Sequence, residues 1–375
     1  MVAIIQKRSL RDFDWLLAFL AIAIVGFGAI QIRNAQPTEG YWIKQLIGLG
    51  IALVAMLIVA FTDYRKLLNI APAFYIFGLM LLILVLIPIP GISLKINGHR
   101  AWLRVPGLGQ FQPSEFVKVT TAMMLARYFG KHRQVSLTLK ELAVGGIILG
   151  LPCALVLMEH DAGSVITYIP ILLVVLFLSA LQMRLVIAAV VLSVVVVPAA
   201  YWVGVKAHLV KNYQQERINV ILDPQNADKR GFGYHTWQSM LTVGEGGVLG
   251  ASASSEHSQS SLKFLPEPHT DFIFAVTAWN TGFGGCVSLL LAYALFISRL
   301  ITGARRASDR MGMLVIMAVV GGLSFQIFIN IGMALGILPV IGVPLPLMSA
   351  GLASLIATFI AIGFAISVQL RRFVN

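Results

Sequence analysis

Charge is scarce in this sequence. Only 12% of its 375 residues are Asp, Glu, Lys or Arg, against about a quarter in a soluble domain. That shortage excludes an ordinary water-soluble globule. With 58% hydrophobic residues and a mean hydropathy of +0.85, it points to an all-α polytopic membrane protein. Cysteine is nearly absent. Cys153 and Cys286 both stand inside apolar runs, where they act as small hydrophobes, which excludes a disulfide framework or a cysteine metal site. Acids are the rarer sign, 16 against 28 Lys and Arg, for a net charge of +12. No polar domain is large enough to bind nucleic acid independently, so the excess of bases needs another explanation.

What the chain has in quantity is long apolar runs. Ten are expected to be transmembrane helices, at about 13–31, 42–61, 70–90, 115–129, 141–158, 163–179, 185–204, 271–299, 312–336 and 347–370. Helices are the only reading, because open backbone cannot face lipid. The eighth run would rise about 43 Å against about 30 Å of hydrocarbon, so its start must tilt or project. Sixteen of the 28 bases, from Lys7 and Arg8 to Arg371 and Arg372, fall in alternate loops with few acids. That side is expected to be cytoplasmic, with both termini on it. The basic start and its long first run suggest a retained helix rather than a removed signal.

Polar residues collect on the opposite side, in the 91–114 loop, the turn at 159–163 and a large loop at 205–270. In the last, "NYQQERINVILDP" (212–224) has a helical rhythm. "GYHTWQSMLTVGEGGVLG" (233–250) suggests an amphipathic or re-entrant element ended by glycines. The whole of 1–375 is expected to form one transmembrane domain, with 205–270 as a folded outer lid.

Five clusters could carry chemistry. In "FLPEPHTDFIFAV", two prolines fix an extended approach to a helix, with Thr270 as a plausible N-cap and Asp271 in the first turn. An acid there suits the helix dipole, but carboxylates at a membrane lip also lean towards function. In "QPSEFVK", Glu115 and Lys118 can pair across one helix face, and they could also hold a phosphate and orient a base. In "NGHRAWLRV", Trp102 is either an interfacial aromatic or, with Arg100 and Arg104, a place for a sugar or lipid phosphate. "EHDAGS" invites a metal, yet three adjacent residues chelate poorly and no second set has metal spacing. Asp161 there is equally an N-cap. The Gly/Pro-rich "NIGMALGILPVIGVPLPLMSAG" (330–351) breaks the helix pattern at membrane depth, which normally lines a cavity.

"QPSEF.K", "LDPQ......GYHTWQS...VGEGG", "FLPEPHTDFIFAV" and "NIGM..GILPVIGVPLPL" occur in order along the chain. Together they strongly resemble the SEDS family (shape, elongation, division and sporulation), RodA type, over essentially the whole length. The resemblance implies a peptidoglycan glycosyltransferase that polymerises lipid II at the outer face of a bacterial cytoplasmic (inner) membrane. It implies a class B penicillin-binding protein as crosslinking partner. Asp271 matches the acid on which polymerisation depends and is expected to be the general base. Glu115, Lys118 and Trp102 match further functional positions. Lys118, Arg100 or Arg104 would stabilise the leaving pyrophosphate, and Glu267, His269 and Asp161 complete the expected substrate-binding set. A divalent cation could assist, but no ligand set is visible.

The chain departs from the family in places. Two acids are usual where it has Trp279 and Asn280. Ala350 and Leu352 replace usual residues after "PLPL", and Glu159-His160-Asp161 stands where Gln-Pro-Asp is typical. These departures leave open an inactive scaffold that activates the transpeptidase, while ten spans, cavity-lining breaks and buried charges leave open a lipid II transporter. The concentration of polar groups on one face argues against alternating access.

Overall fold

The computed structural model describes residues 12–96, 99–105, 109–131, 137–179, 233–251 and 265–372, with isolated positions between 199 and 262. The seventh apolar run (185–204), the 212–224 segment and most of the 205–270 loop lie outside the described residues. The chain order is α1 (Trp15–Ala35), α2 (Tyr41–Phe61), α3 (Tyr64–Asn69), α4 (Ala71–Leu86), β1 (Ser93–Ile96), β2 (His99–Val105) and β3 (Gly109–Phe111). It continues with α5 (Pro113–Lys131), α6 (Leu139–Met158), α7 (Ala162–Leu178), α8 (Tyr234–Glu245), α9 (Ile273–Arg305), α10 (Arg310–Ala334) and α11 (Leu352–Leu370).

Local chemistry sets the helix ends. The Asp14 and Asp309 carboxylates cap α1 and α10 through the N–H groups of Leu17 and Gly312. Thr138 and Glu141 form a reciprocal capping box at α6. Pro113 opens α5, where its missing N–H costs nothing. Helices α1, α2, α6, α9, α10 and α11 are long and apolar enough to cross a membrane, and α4 and α7 are shorter apolar helices.

The exception explains the architecture. Helix α5 carries Glu115, Lys118, Thr120 and Thr121, all buried, and is too polar to face lipid. Six helices surround it: α3, α4, α6, α7, α10 and α11 all pack against it. Helices α2, α6 and α9 each leave most of an apolar, membrane-length stretch unburied.

Three sequence expectations need correction. The 91–114 loop contains a three-stranded antiparallel sheet, β1-β2-β3, with Leu94 opposite Trp102 and Arg104 opposite Gln110. The third run ends as helix at Leu86 rather than 90, and the last begins at Leu352 rather than 347. Asp271 does not sit in the first turn of its helix, nor does Thr270 cap it: the N-cap is Phe272. The backbone of 269–270 is bonded elsewhere, with Ala350 N donating to His269 O at 2.8 Å and Ser349 Oγ to Thr270 O at 2.6 Å. Those bonds hold residues 268–272 as a turn, in which Thr270 N also donates to Glu267 O at 3.2 Å, and delay helix onset.

Helix α9 is kinked at Gly282, whose φ of 65° and ψ of −166° suit glycine alone. The glycine loop after α8 fits into the kink. Phe283 N donates to Gly247 O at 2.9 Å and Gly284 N to Val248 O at 3.3 Å. A methyl group at Gly282 would overlap Val248 O. Gly282→Ala is therefore expected to cost about 2 kcal/mol from backbone strain alone, measured as lowered thermal stability in detergent. An unchanged melting temperature would contradict the interlock.

Candidate active site

Asp271 stands on the turn between the 265–270 approach and α9, and is partly exposed. Its surroundings are fixed by backbone bonds. Asn330 of α10, fully buried, donates through Nδ2 to both Asp271 O and Val343 O at 2.8 Å. Ser349 ties Thr270 O to Leu345 N through its hydroxyl. The 336–351 loop thus straps the turn from one side. Gly342, with φ of 73°, brings bare backbone against the carboxyl: a Cβ there would lie 3.6 Å from Asp271 Oδ2. Burial pushes the Asp271 carboxyl up to about 7, and the charges of Glu267 and Asp161 act in the same direction.

The rest of the turn forms a wall. His269 stacks on Tyr41 of α2, with ring centres 4.1 Å apart, and Lys44 Nζ lies 5.3 Å from the Tyr41 ring centre. Glu267, exposed and with a φ of 44°, approaches His269 Nε2 at 3.8 Å. Burial holds the imidazole below its usual pKa, against the pull of Glu267 and Glu39, so His269 is neutral at pH 7 and acts as an aromatic surface.

Asp161 caps α7 as its sequence suggests, accepting from Ser164 N at 2.9 Å. It also accepts from Gln112 Nε2 at 3.0 Å, which joins the start of α7 to the start of α5. Gly163 packs so closely on Ile341 that a side chain would overlap its carbonyl. Asp161, the 336–351 loop and Asp271 therefore converge.

Glu115 and Lys118 form the expected pair, 2.7 Å apart and buried at 5% and 8% exposure. They lie at one end of a cavity of about 40 Å³ between α5, α7, α10 and α11, lined also by Gln326, Thr358, Ile171 and Leu323. Lys118 is thus committed to Glu115 inside the bundle. On β2, Ala101 and Leu103 are buried, whereas Arg100, Trp102 and Arg104 alternate with them on the other face. The sheet runs directly into α5 through Gln112.

Trp279 and Asn280 take no part in the Asp271 turn. Trp279 is 4% exposed within the core, and Asn280 Nδ2 donates to Gln31 Oε1 of α1 at 2.7 Å. Among the described residues no three His, Cys, Asp or Glu side chains stand together as a metal site. Sequence reasoning overlooked Asn330, Gly342, Ser349 and Tyr41. For Asn330 a signal existed, an amide inside the apolar "FINIGM", since intramembrane polar groups need partners. For Tyr41 there was none, because stacking on His269 is set by tertiary structure.

The profile of the FtsW/RodA/SpoVE family, described as a cell cycle protein, matches residues 12–372. The chain is 34% identical over 371 residues to the peptidoglycan glycosyltransferase MrdB of Escherichia coli K12, covering 98% of this chain and 97% of that one. It is 28% identical over 439 residues to the peptidoglycan glycosyltransferase RodA of Treponema pallidum, covering 97% and 99%. Its structure resembles a chain of a peptidoglycan synthase complex that coordinates polymerization and crosslinking, with a TM-score of 0.82 at 31% identity, covering 97% and 99%. It also resembles the rod shape determining protein RodA of Thermus thermophilus, with a TM-score of 0.70 at 28% identity, covering 97% and 98%. The chain belongs to the FtsW/RodA/SpoVE family of multi-pass membrane proteins.

Proposed function

We propose that the protein is a peptidoglycan glycosyltransferase that polymerises lipid II, with Asp271 as general base. The observation that carries this reading is the Asp271 turn: a partly exposed residue on a backbone strapped by Asn330 and Ser349, its carboxyl raised by burial to about 7. A base tuned to the working pH balances availability against strength. The acceptor hydroxyl oxygen forms a bond to the donor's anomeric carbon and gives its proton to Asp271. The bond from that carbon to the pyrophosphate oxygen breaks, and the lipid pyrophosphate leaves with the electron pair. Arg100 and Arg104, on the open face of β2 beside Trp102, suit the departing charge and its sugar. Lys118 serves differently: paired with Glu115, it fixes the start of α5 under the site. Glu267, His269 and Asp161 shape the field and the wall around the base.

In this reading the chain is one domain of ten spans, with both termini cytoplasmic and 205–270 as an outer lid. Its partner is a class B penicillin-binding protein in the same membrane. The scaffold reading gains one observation, because Trp279 and Asn280 replace acids and serve packing. Their burial in the core and the bond of Asn280 to Gln31 of α1, apart from the strap on Asp271, favour activity instead.

The pH profile tests the assignment. Asp271 must be ionised to accept a proton, so polymerisation is expected to rise as pH passes through about 7. Glu267→Gln removes a like charge, which lowers the Asp271 pKa and moves that limb to lower pH by about half a unit. An acid limb unmoved by this change would count against Asp271 as the titrating group.

A further inference from the structure

Helix α6 ends on an acid that no described residue neutralises. Glu159 is the C-cap of α6, its N–H bonded to Leu155 O at 3.2 Å. Its side chain is 0% exposed, and neither carboxyl oxygen has a hydrogen-bond partner among the described residues. An ion there would also face the negative end of the helix dipole. Among the described residues the titratable groups around this turn supply no cation for it. They are Asp161 and Tyr168 of α7, Cys153 of α6, and Glu115 of α5, to which Lys118 is already bound. The neighbouring His160 is turned outward and exposed. An unpaired charge in such surroundings is strongly disfavoured, and the group keeps its proton instead.

We propose that Glu159 works as a neutral carboxylic acid and is a positioning residue for the reaction, because only in that form does the 159–161 turn keep Asp161 clamped between α5 and α7 beside Asp271. The clamp consists of Gln112 Nε2 and Ser164 Oγ donating to Asp161 Oδ2 at 3.0 and 2.6 Å, and of Ser164 N donating to Oδ1. An ionised Glu159 would place a second charge two residues from Asp161 in a fully buried position. The turn relieves that by opening to water, which loosens Asp161 and the loop packed on Gly163. Burial pushes the Glu159 carboxyl up to about 8, with the Asp161 charge adding to it. The acid form therefore prevails at neutral pH and is lost just above it.

The kinetic part of this inference rests on the glycosyltransferase reading; the stability part does not. Glu159→Gln has the shape of the neutral acid and no proton to lose. In the purified full-length protein with its partner, both forms should polymerise equally at neutral pH. Wild type should then fall about tenfold by about pH 9 while the variant holds its rate. Folded Glu159 binds its proton more tightly than the unfolded chain does, so wild type loses stability as pH rises from about 4.5 through about 8. The excess melting temperature of the variant should widen over that window and then level off. Infrared spectra of wild type should lose a carboxylic acid band on going to alkaline pH that the variant never shows. A constant melting difference, or the same alkaline fall in both proteins, would overturn the proposal. A widening difference with no polymer from either protein would support neutral Glu159 and sink the polymerase reading instead.

Discussion

Asp271→Asn is expected to lower polymerisation by about 10²–10⁴-fold, the range spanned by loss of a general base, and at the same time to stabilise the protein. The two effects share one cause. The folded-state pKa is raised from 3.8 to about 7, so the folded protein holds the proton over a range where the unfolded chain has released it. Wild-type stability therefore falls as pH rises from about 4 through about 7. Asparagine escapes that penalty, which amounts to about 2–4 kcal/mol at pH 8. The strap survives the change, because Asn330 and Ser349 hold the backbone of the turn, not its carboxyl. Glycan polymer on gels and melting curves between about pH 5 and 8 measure both effects. A variant that is inactive but also destabilised at pH 8 would suggest a structural role for the carboxylate.

Lys118→Met is expected to destabilise the protein by about 3–5 kcal/mol, because it leaves Glu115 buried without its cation. The pair lies inside the bundle at 2.7 Å, on the helix against which α3, α4, α6, α7, α10 and α11 pack. Adding Glu115→Gln to Lys118→Met should recover most of the loss, since the double variant buries no lone charge. Equal stability of the single and double variants would show that the ion pair does not hold the centre together. Activity need not return in the double variant, because the ion pair also fixes the start of α5.

Much of this was legible in the sequence because membrane helices announce themselves by length and hydropathy. The Glu115–Lys118 pair and the Asp161 cap followed from helix geometry, since three-residue spacing and N-cap preference are local rules. The sheet at 93–111 was not legible. Its strands are short, and alternation in "AWLRV" is too brief to separate from a loop. The late start of α9 was hidden for another reason: Thr270 is a good local cap, but Ser349 and Ala350, some 80 residues on, claim the backbone around it. The kink at Gly282 needed the glycine loop of 246–250 to be brought alongside. Trp279 and Asn280 looked like lost active-site acids, whereas Asn280 bonds Gln31 and ties α9 to α1.

The central claim is that this chain makes glycan, and one reconstitution tests it. The full-length protein would be placed with its penicillin-binding partner in sealed liposomes containing labelled lipid II. Long glycan chains should form with the partner's crosslinking activity blocked, and their formation should disappear in Asp271→Asn. Labelled lipid that crosses the bilayer unpolymerised, or remains unchanged beside a well-folded and partner-bound protein, would contradict the account.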